Sequence, residues 1–174
     1  MMSLGPRVCR RRRVVPRTAA ALAAVLLASG CASDGAGAVQ RRLDDETVFP
    51  LTKEESQHLI WGIENDVVAL LPEGTVLEVE QATDDNSLTC APGAVVWTGL
   101  TIADTVAPAD VDSLIEDVRA RWADDTDYAV EVEEMRDDGR VITLSGARGD
   151  NYFIEAYGTT LEVRSFGPCV RRDA

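Results

Sequence analysis

A chain of 174 residues with a formal charge of −13 is repelled by phosphate polymers and anionic lipid, and this excludes nucleic acid as a partner. The length allows one domain with a sizeable core plus a terminal extension. Only one histidine is present, so metal sites built on two or more histidines are excluded too.

Six arginines (Arg7, Arg10, Arg11, Arg12, Arg13, Arg17) and no acid precede an apolar run from Ala19 to Ala28. Positive charge followed by an apolar run is the order of an export signal. Its ten apolar residues fall short of the roughly 20 that a membrane-spanning helix needs. The run passes through Ala28, Ser29 and Gly30 into Cys31. These residues resemble the lipobox of bacterial lipoproteins, with Ala28 where that pattern prefers Leu or Val. The resemblance implies that residues 1–30 are removed and that the Cys31 sulfur carries diacylglycerol, the new amino terminus being open to acylation as well. A thiolate suits alkylation because it is strongly nucleophilic, and two or more acyl chains anchor stably where one is marginal. The expected location is therefore the extracytoplasmic face of the cell membrane, reached through Cys31. Loss of the six arginines, with no acid lost, takes the formal charge from −13 to −19. Sixteen of the seventeen basic residues are Arg, the bias of a GC-rich genome.

Of the four cysteines, Cys9 leaves with the signal and Cys31 takes lipid. Cys90 and Cys169 remain as a pair in an oxidising compartment, where a disulfide is expected. Residues 31–50 are small, polar or charged without periodicity and read as a flexible tether, holding the domain on the order of 20 to 25 Å from the lipid surface. Residues 51–170 form the predicted domain and 171–174 a tail.

Thr52 and Glu55 have capping-box spacing, with Leu51 placed as a staple. The helix they open carries Leu59, Ile60, Ile63, Val67, Leu70 and Leu71 at helical spacing, until Pro72 and Gly74 stop it. Val76 to Ala82 reads as a strand with Leu77 and Val79 on one face. After a turn at Cys90-Ala91-Pro92-Gly93, Val95 to Ile102 reads as a strand on which Val96, Leu100 and Ile102 share a face, pairing antiparallel with the strand before it. From Asp110 to Ala123 a second helix is predicted, its apolar stripe Val111, Leu114, Ile115, Val118 and Trp122 opposing Asp112, Glu116, Asp117 and Arg121. Beyond Tyr128 the period becomes two. Val130 and Val132, Ile142 and Leu144, Tyr152 to Ala156, and Leu161 and Val163 mark four strands of an antiparallel meander. The predicted class is α+β, an antiparallel sheet of about six strands with two helices on one face, in the order α-β-β-α-β-β-β-β.

An early helix, a cysteine in a polar turn, a second amphipathic helix and late strands ending at Val163-Arg164-Ser165-Phe166-Gly167-Pro168-Cys169 together resemble the small actinobacterial-type lipoproteins of unknown function, the LppA-like group among them. The resemblance implies no activity.

No residue set reads as catalytic, metal-binding or cofactor-binding. His58 lies one residue outside the first core stripe and reads as a surface residue. No serine sits in Gly-x-Ser-x-Gly. The clusters Asp84-Asp85, Asp124-Asp125-Thr126-Asp127 and Asp137-Asp138 lack calcium-loop spacing, since from Asp125 the fifth and sixth positions are Ala129 and Val130. Arg148-Gly149-Asp150 falls in a predicted hairpin turn, where Gly and Asp are demanded anyway. Trp122 continues a core stripe, whereas Trp61 and Trp97 leave open an aromatic patch between helix and sheet. One asymmetry points further. From Glu54 to Asp117 there are fourteen carboxylates and no Lys or Arg, which reads as a solvated acidic surface or as a docking face for a basic protein or cationic ligand, with Asp112, Glu116 and Asp117 as its candidate residues. The expected function is a non-catalytic, membrane-anchored binding or accessory module. A solute-binding lipoprotein with an apolar cleft between helices and sheet, or an envelope hydrolase using scattered carboxylates, are the alternatives.

Overall fold

The computed structural model describes residues 47–84, 86–135 and 139–172. The signal, Cys31, most of the tether, Asp85, Asp137, Asp138 and the last two residues lie outside the described residues. The elements run α1 (Lys53–Val68), β1 (Val76–Gln81), β2 (Ser87–Ala91), β3 (Ala94–Thr105), α2 (Val111–Arg121), β4 (Tyr128–Glu134), β5 (Arg140–Gly146), β6 (Asn151–Tyr157), β7 (Thr160–Phe166) and β8 (Val170–Arg171). The class is α+β, as expected, but the described residues hold eight strands rather than about six. The difference is β2 and β8, two short strands that pair with the first half of β3. The second half of β3 enters the main antiparallel sheet, ordered β1-β3-β7-β6-β5-β4.

Both helices begin as their sequences dictate. The Thr52 hydroxyl accepts from the Glu55 amide at 3.0 Å, and the Glu55 carboxylate accepts from the Thr52 amide at 2.7 Å, so two amides without helical partners are satisfied. Asp110 caps α2 by accepting from the amides of Asp112 and Ser113. With eleven residues, α2 is below the length of about 12–15 at which an isolated helix becomes marginal. Burial of Leu114, Ile115, Val118 and Trp122 holds it instead, at about 1.5–3 kcal/mol for each fully buried apolar side chain.

The core lies between these helices and one face of the sheet: Ile60, Val67, Leu114, Ile115, Val118 and Trp122 pack with Trp97, Ala103, Ile142, Leu144, Tyr152, Ile154, Leu161 and Val163. The buried face of β3 is thus the one carrying Trp97, Gly99, Thr101 and Ala103, while Val96, Leu100 and Ile102 share the other face and are half-buried. On β1 the expected face is broken. A register shift between Val76 and Glu78 takes Leu77 out of the alternation, and Leu77 is 68% exposed.

A second, smaller cluster of Ala91, Ala94 and Cys169, with Val48, Cys90 and Val96 against it, surrounds the Cys90–Cys169 disulfide. The bridge ties together β2 and the entry to β8 on either side of β3. Phe49, in the stretch read as tether, donates its amide to the Cys169 carbonyl at 2.8 Å, and Arg172 donates its amide to Gly93 at 3.1 Å.

Candidate functional site

Glu64 stands at the helix–sheet interface, one turn after Ile60 on the buried face of α1. It is completely buried. Ser165 of β7 donates to it at 2.6 Å, Thr101 of β3 at 2.8 Å and Gln81 of β1 at 2.9 Å. None of these three donors is charged, so desolvation dominates and raises its pKa, the three hydrogen bonds pulling the other way. Gly99 makes room for it, since a Cβ there would lie 2.3 Å from a Glu64 carboxylate oxygen. Four elements thus converge on one carboxyl that meets no solvent. Its role is to fasten α1 to the sheet.

The residues singled out from sequence fall in separate places. Cys31 lies outside the described residues, and Cys90 is bonded to Cys169. Asp112, Glu116 and Asp117 are exposed on α2, but Asp112 pairs with Arg140 of β5 at 2.6 Å. Asp66 of α1 similarly meets Arg121 of α2 at 2.5 Å. The stretch without arginines therefore receives them from later in the chain. His58 is exposed and edge-on to Trp61, which is edge-on to the fully buried Trp97. Trp61 donates its indole N–H to the Ala82 carbonyl at 3.2 Å. Asp150 is buried in the β5–β6 turn and accepts from the Tyr152 hydroxyl at 3.1 Å, so it is a turn residue within the core. Burial, reinforced by the Asp150 carboxylate, pushes the Tyr128 and Tyr152 phenols up.

The sequence pattern alone does not mark the face of the sheet opposite the helices as a site. Register places Glu80, Ile102, Glu162, Glu155, Val141 and Glu133 in one line across six strands. Beside it run Leu100, Arg164, Phe153, Thr143 and Glu131, then Thr98, Phe166, Asn151, Ser145 and Ala129; Glu78, Asp104 and Thr160 flank the first line on its far side. Phe166 is 39% exposed, and Glu78, Glu80, Asp104, Glu131 and Glu133 are exposed. Leu100, Ile102, Val141 and Phe153 are half-buried. Phe153 and Phe166 meet edge to face at 6.1 Å. Arg164 joins Glu155 and, at 2.9 Å, Glu162, placing its guanidinium beside the aromatic pair. Glu133, Val141, Thr143, Phe153, Glu155, Arg164 and Phe166 line a shallow depression of about 380 Å³. The signal for this face was the polar half of each alternation, such as Ala129, Glu131 and Glu133 between Tyr128, Val130 and Val132.

A separate cavity of about 210 Å³ lies between the end of α1 and the start of α2. Leu70, Leu71, Pro72, Val106, Pro108 and Leu114 make it apolar, with Asp110 and Asp117 in its wall. It exceeds the roughly 150 Å³ that holds a benzene but falls short of the roughly 300 Å³ at which drug-sized sites begin.

Among solved structures the chain is similar to a DUF4853 family protein from Actinomyces odontolyticus ATCC 17982, at 20% sequence identity and a TM-score of 0.47, over 74% of this chain and 75% of that one. No protein-family model and no curated protein matches the sequence.

Proposed function

We propose that this protein is a lipid-anchored, non-catalytic binding module on the extracytoplasmic face of the cell membrane, of the kind the small LppA-like lipoproteins represent, and that it docks another protein on the open face of its sheet. The observation that carries this reading is the one-sided sheet: two helices cover one face, and the other presents apolar and aromatic side chains between exposed acids. Apolar surface rimmed by polar residues marks interaction sites. The arginine-rich start, the short apolar run and Cys31 support the anchor. A photoreactive residue replacing Thr143, on the open face, is expected to form protein adducts in cells, whereas one replacing Glu116, on α2, is not. Adducts from Glu116 alone, or from neither position, would overturn the reading.

A second reading, a carrier of a small apolar solute, is favoured by the cavity between α1 and α2. Its test is whether Leu71→Trp, which fills that cavity, abolishes stabilisation by a solute recovered with the purified protein.

A further inference from the structure

The charge on the open face points to the chemistry of what covers it. Among the described residues in the rows from Thr98 to Asp104, Glu78, Glu80, Asp104, Glu131, Glu133, Glu155 and Glu162 lie on this face with Arg164 as the one cation of those rows, and Arg164 is already engaged by Glu155 and Glu162; Arg171, opposite Ala94, lies beyond them. Two such faces meeting would set carboxylate against carboxylate, and an anionic bilayer is repelled for the same reason. The acids are also arranged. Glu78, Glu80 and Asp104 form a rail on β1 and β3, and Glu131 and Glu133 form a second rail on β4. Between the rails lie Leu100 and Ile102 on β3 and Phe166, Phe153 and Val141 on β7, β6 and β5, together with the Arg164–Glu155–Glu162 cluster, whose charges are mutually engaged.

From β1 to β4 there are five strand spacings, or about 24 Å. A helix about 10–12 Å wide, with lysine or arginine stems reaching out along its flanks, spans that width while its apolar stripe rests on the aromatic centre. Along the strands, the lines from Thr98 to Asp104 cover about 20 Å, the length of about 14 helical residues. We infer that the open face receives a cationic amphipathic helix of a partner protein, apolar side chains on Phe153, Phe166 and Leu100 and basic side chains on the two acidic rails. This rests on the docking function proposed above and names the partner's chemistry.

The probe is a synthetic peptide of about 14 residues with leucines at i, i+3, i+4 and i+7 and lysines on both flanks, titrated into the disulfide-bonded protein beside a scrambled peptide of identical composition. The ordered peptide is expected to bind at least about tenfold more tightly than the scrambled one, and to weaken about tenfold as salt shortens the screening length from about 10 Å to a few ångströms. Glu131→Gln with Glu133→Gln, and separately Glu78→Gln with Glu80→Gln, should each weaken binding about threefold or more, all four being exposed and without risk to folding. Phe153→Ala should weaken it at every salt concentration. Removing three charges from α2 instead (Asp112→Asn, Glu116→Gln, Asp117→Asn) should change it less than about twofold. Equal binding of ordered and scrambled peptides, or equal loss from the α2 and rail variants, would overturn the inference by reducing it to bulk charge. If Thr143 adducts in cells identify an open-face partner without a basic amphipathic helix, the docking function stands and the inferred chemistry fails.

Discussion

Replacing Glu64 by Gln keeps the side chain's length and one acceptor oxygen but removes its ionisation. In the wild type, burial raises this carboxyl above its ordinary value of 4.5, with hydrogen bonds from Ser165, Thr101 and Gln81 in partial opposition. The folded state therefore holds this proton more tightly than the unfolded state. Between the unfolded and the raised folded pKa the native protein binds more protons, so stability declines as pH rises through that window. For one proton the limiting slope is about 1.4 kcal/mol per pH unit. Below the unfolded value the effect vanishes, and above the folded value it is constant. The Gln variant lacks this titration, and the hydroxyls of Thr101 and Ser165 can turn to accept from its amide. Urea unfolding followed by tryptophan fluorescence, from about pH 4 to about pH 8, should show the variant gaining on the wild type as pH rises and then levelling off. A stability difference that is flat with pH would refute the claim that the buried carboxyl titrates with the fold.

Breaking the Cys90–Cys169 bridge by Cys169→Ser should lower stability by at most about 4.5 kcal/mol in the chain-entropy model for a separation of 79 residues, read as a drop in the urea midpoint. Gly99→Ala places a Cβ 2.3 Å from Glu64, 2.8 Å from Ile60 and 2.9 Å from Trp97, and should cost about 1–3 kcal/mol as overpacking; Gly149→Ala, whose loss comes from a positive φ of 78° in an open turn, should leave the near-ultraviolet signal of the core unchanged. Thr52→Ala should cost about 1 kcal/mol through loss of the cap, read by thermal unfolding. Cys31→Ala should release the protein from the membrane fraction, and intact mass should show residues 1–30 removed and a diacylglyceryl group present only when Cys31 is intact.

Patterns that repeat were legible in the sequence, and single exceptions to them were not. The meander of β4 to β7, the stripe of α2 and the capping box at Thr52 follow from spacing and turn chemistry, and the Cys90–Cys169 bridge from the expectation that these two cysteines are left as a pair. The interior of α1 does not. Its buried face is Ser56, Ile60, Glu64 and Val67, while Leu59, Ile63, Leu70 and Leu71 are half-buried; a scale that counts apolar residues cannot see a carboxyl buried through three hydrogen bonds. The same network explains β3, where Gly99 and Thr101 face the core because Glu64 occupies the space beside them. β2 and β8 are not legible in the sequence because a two-residue strand carries no period, and Ser87–Ala91 is bent by a register shift between Thr89 and Ala91. The acidic stretch of the sequence was visible, but its meaning was not. Folding pairs Asp66 and Asp112 with distant arginines, buries Glu64, and gathers Glu78, Glu80 and Asp104 with Glu131 and Glu133 from beyond the stretch onto one face.

Docking on the open face of the sheet requires that this face be covered in the cell. Carboxylate footprinting with a water-soluble carbodiimide and an amine, read residue by residue in native membranes and again on purified protein, tests it directly. Glu78, Glu80, Glu131 and Glu133 are expected to be less modified in membranes than in the purified protein, while Glu116 and Asp117 on α2 are modified equally in both. Equal modification of the four sheet carboxylates in the two states, or protection confined to α2, would contradict it.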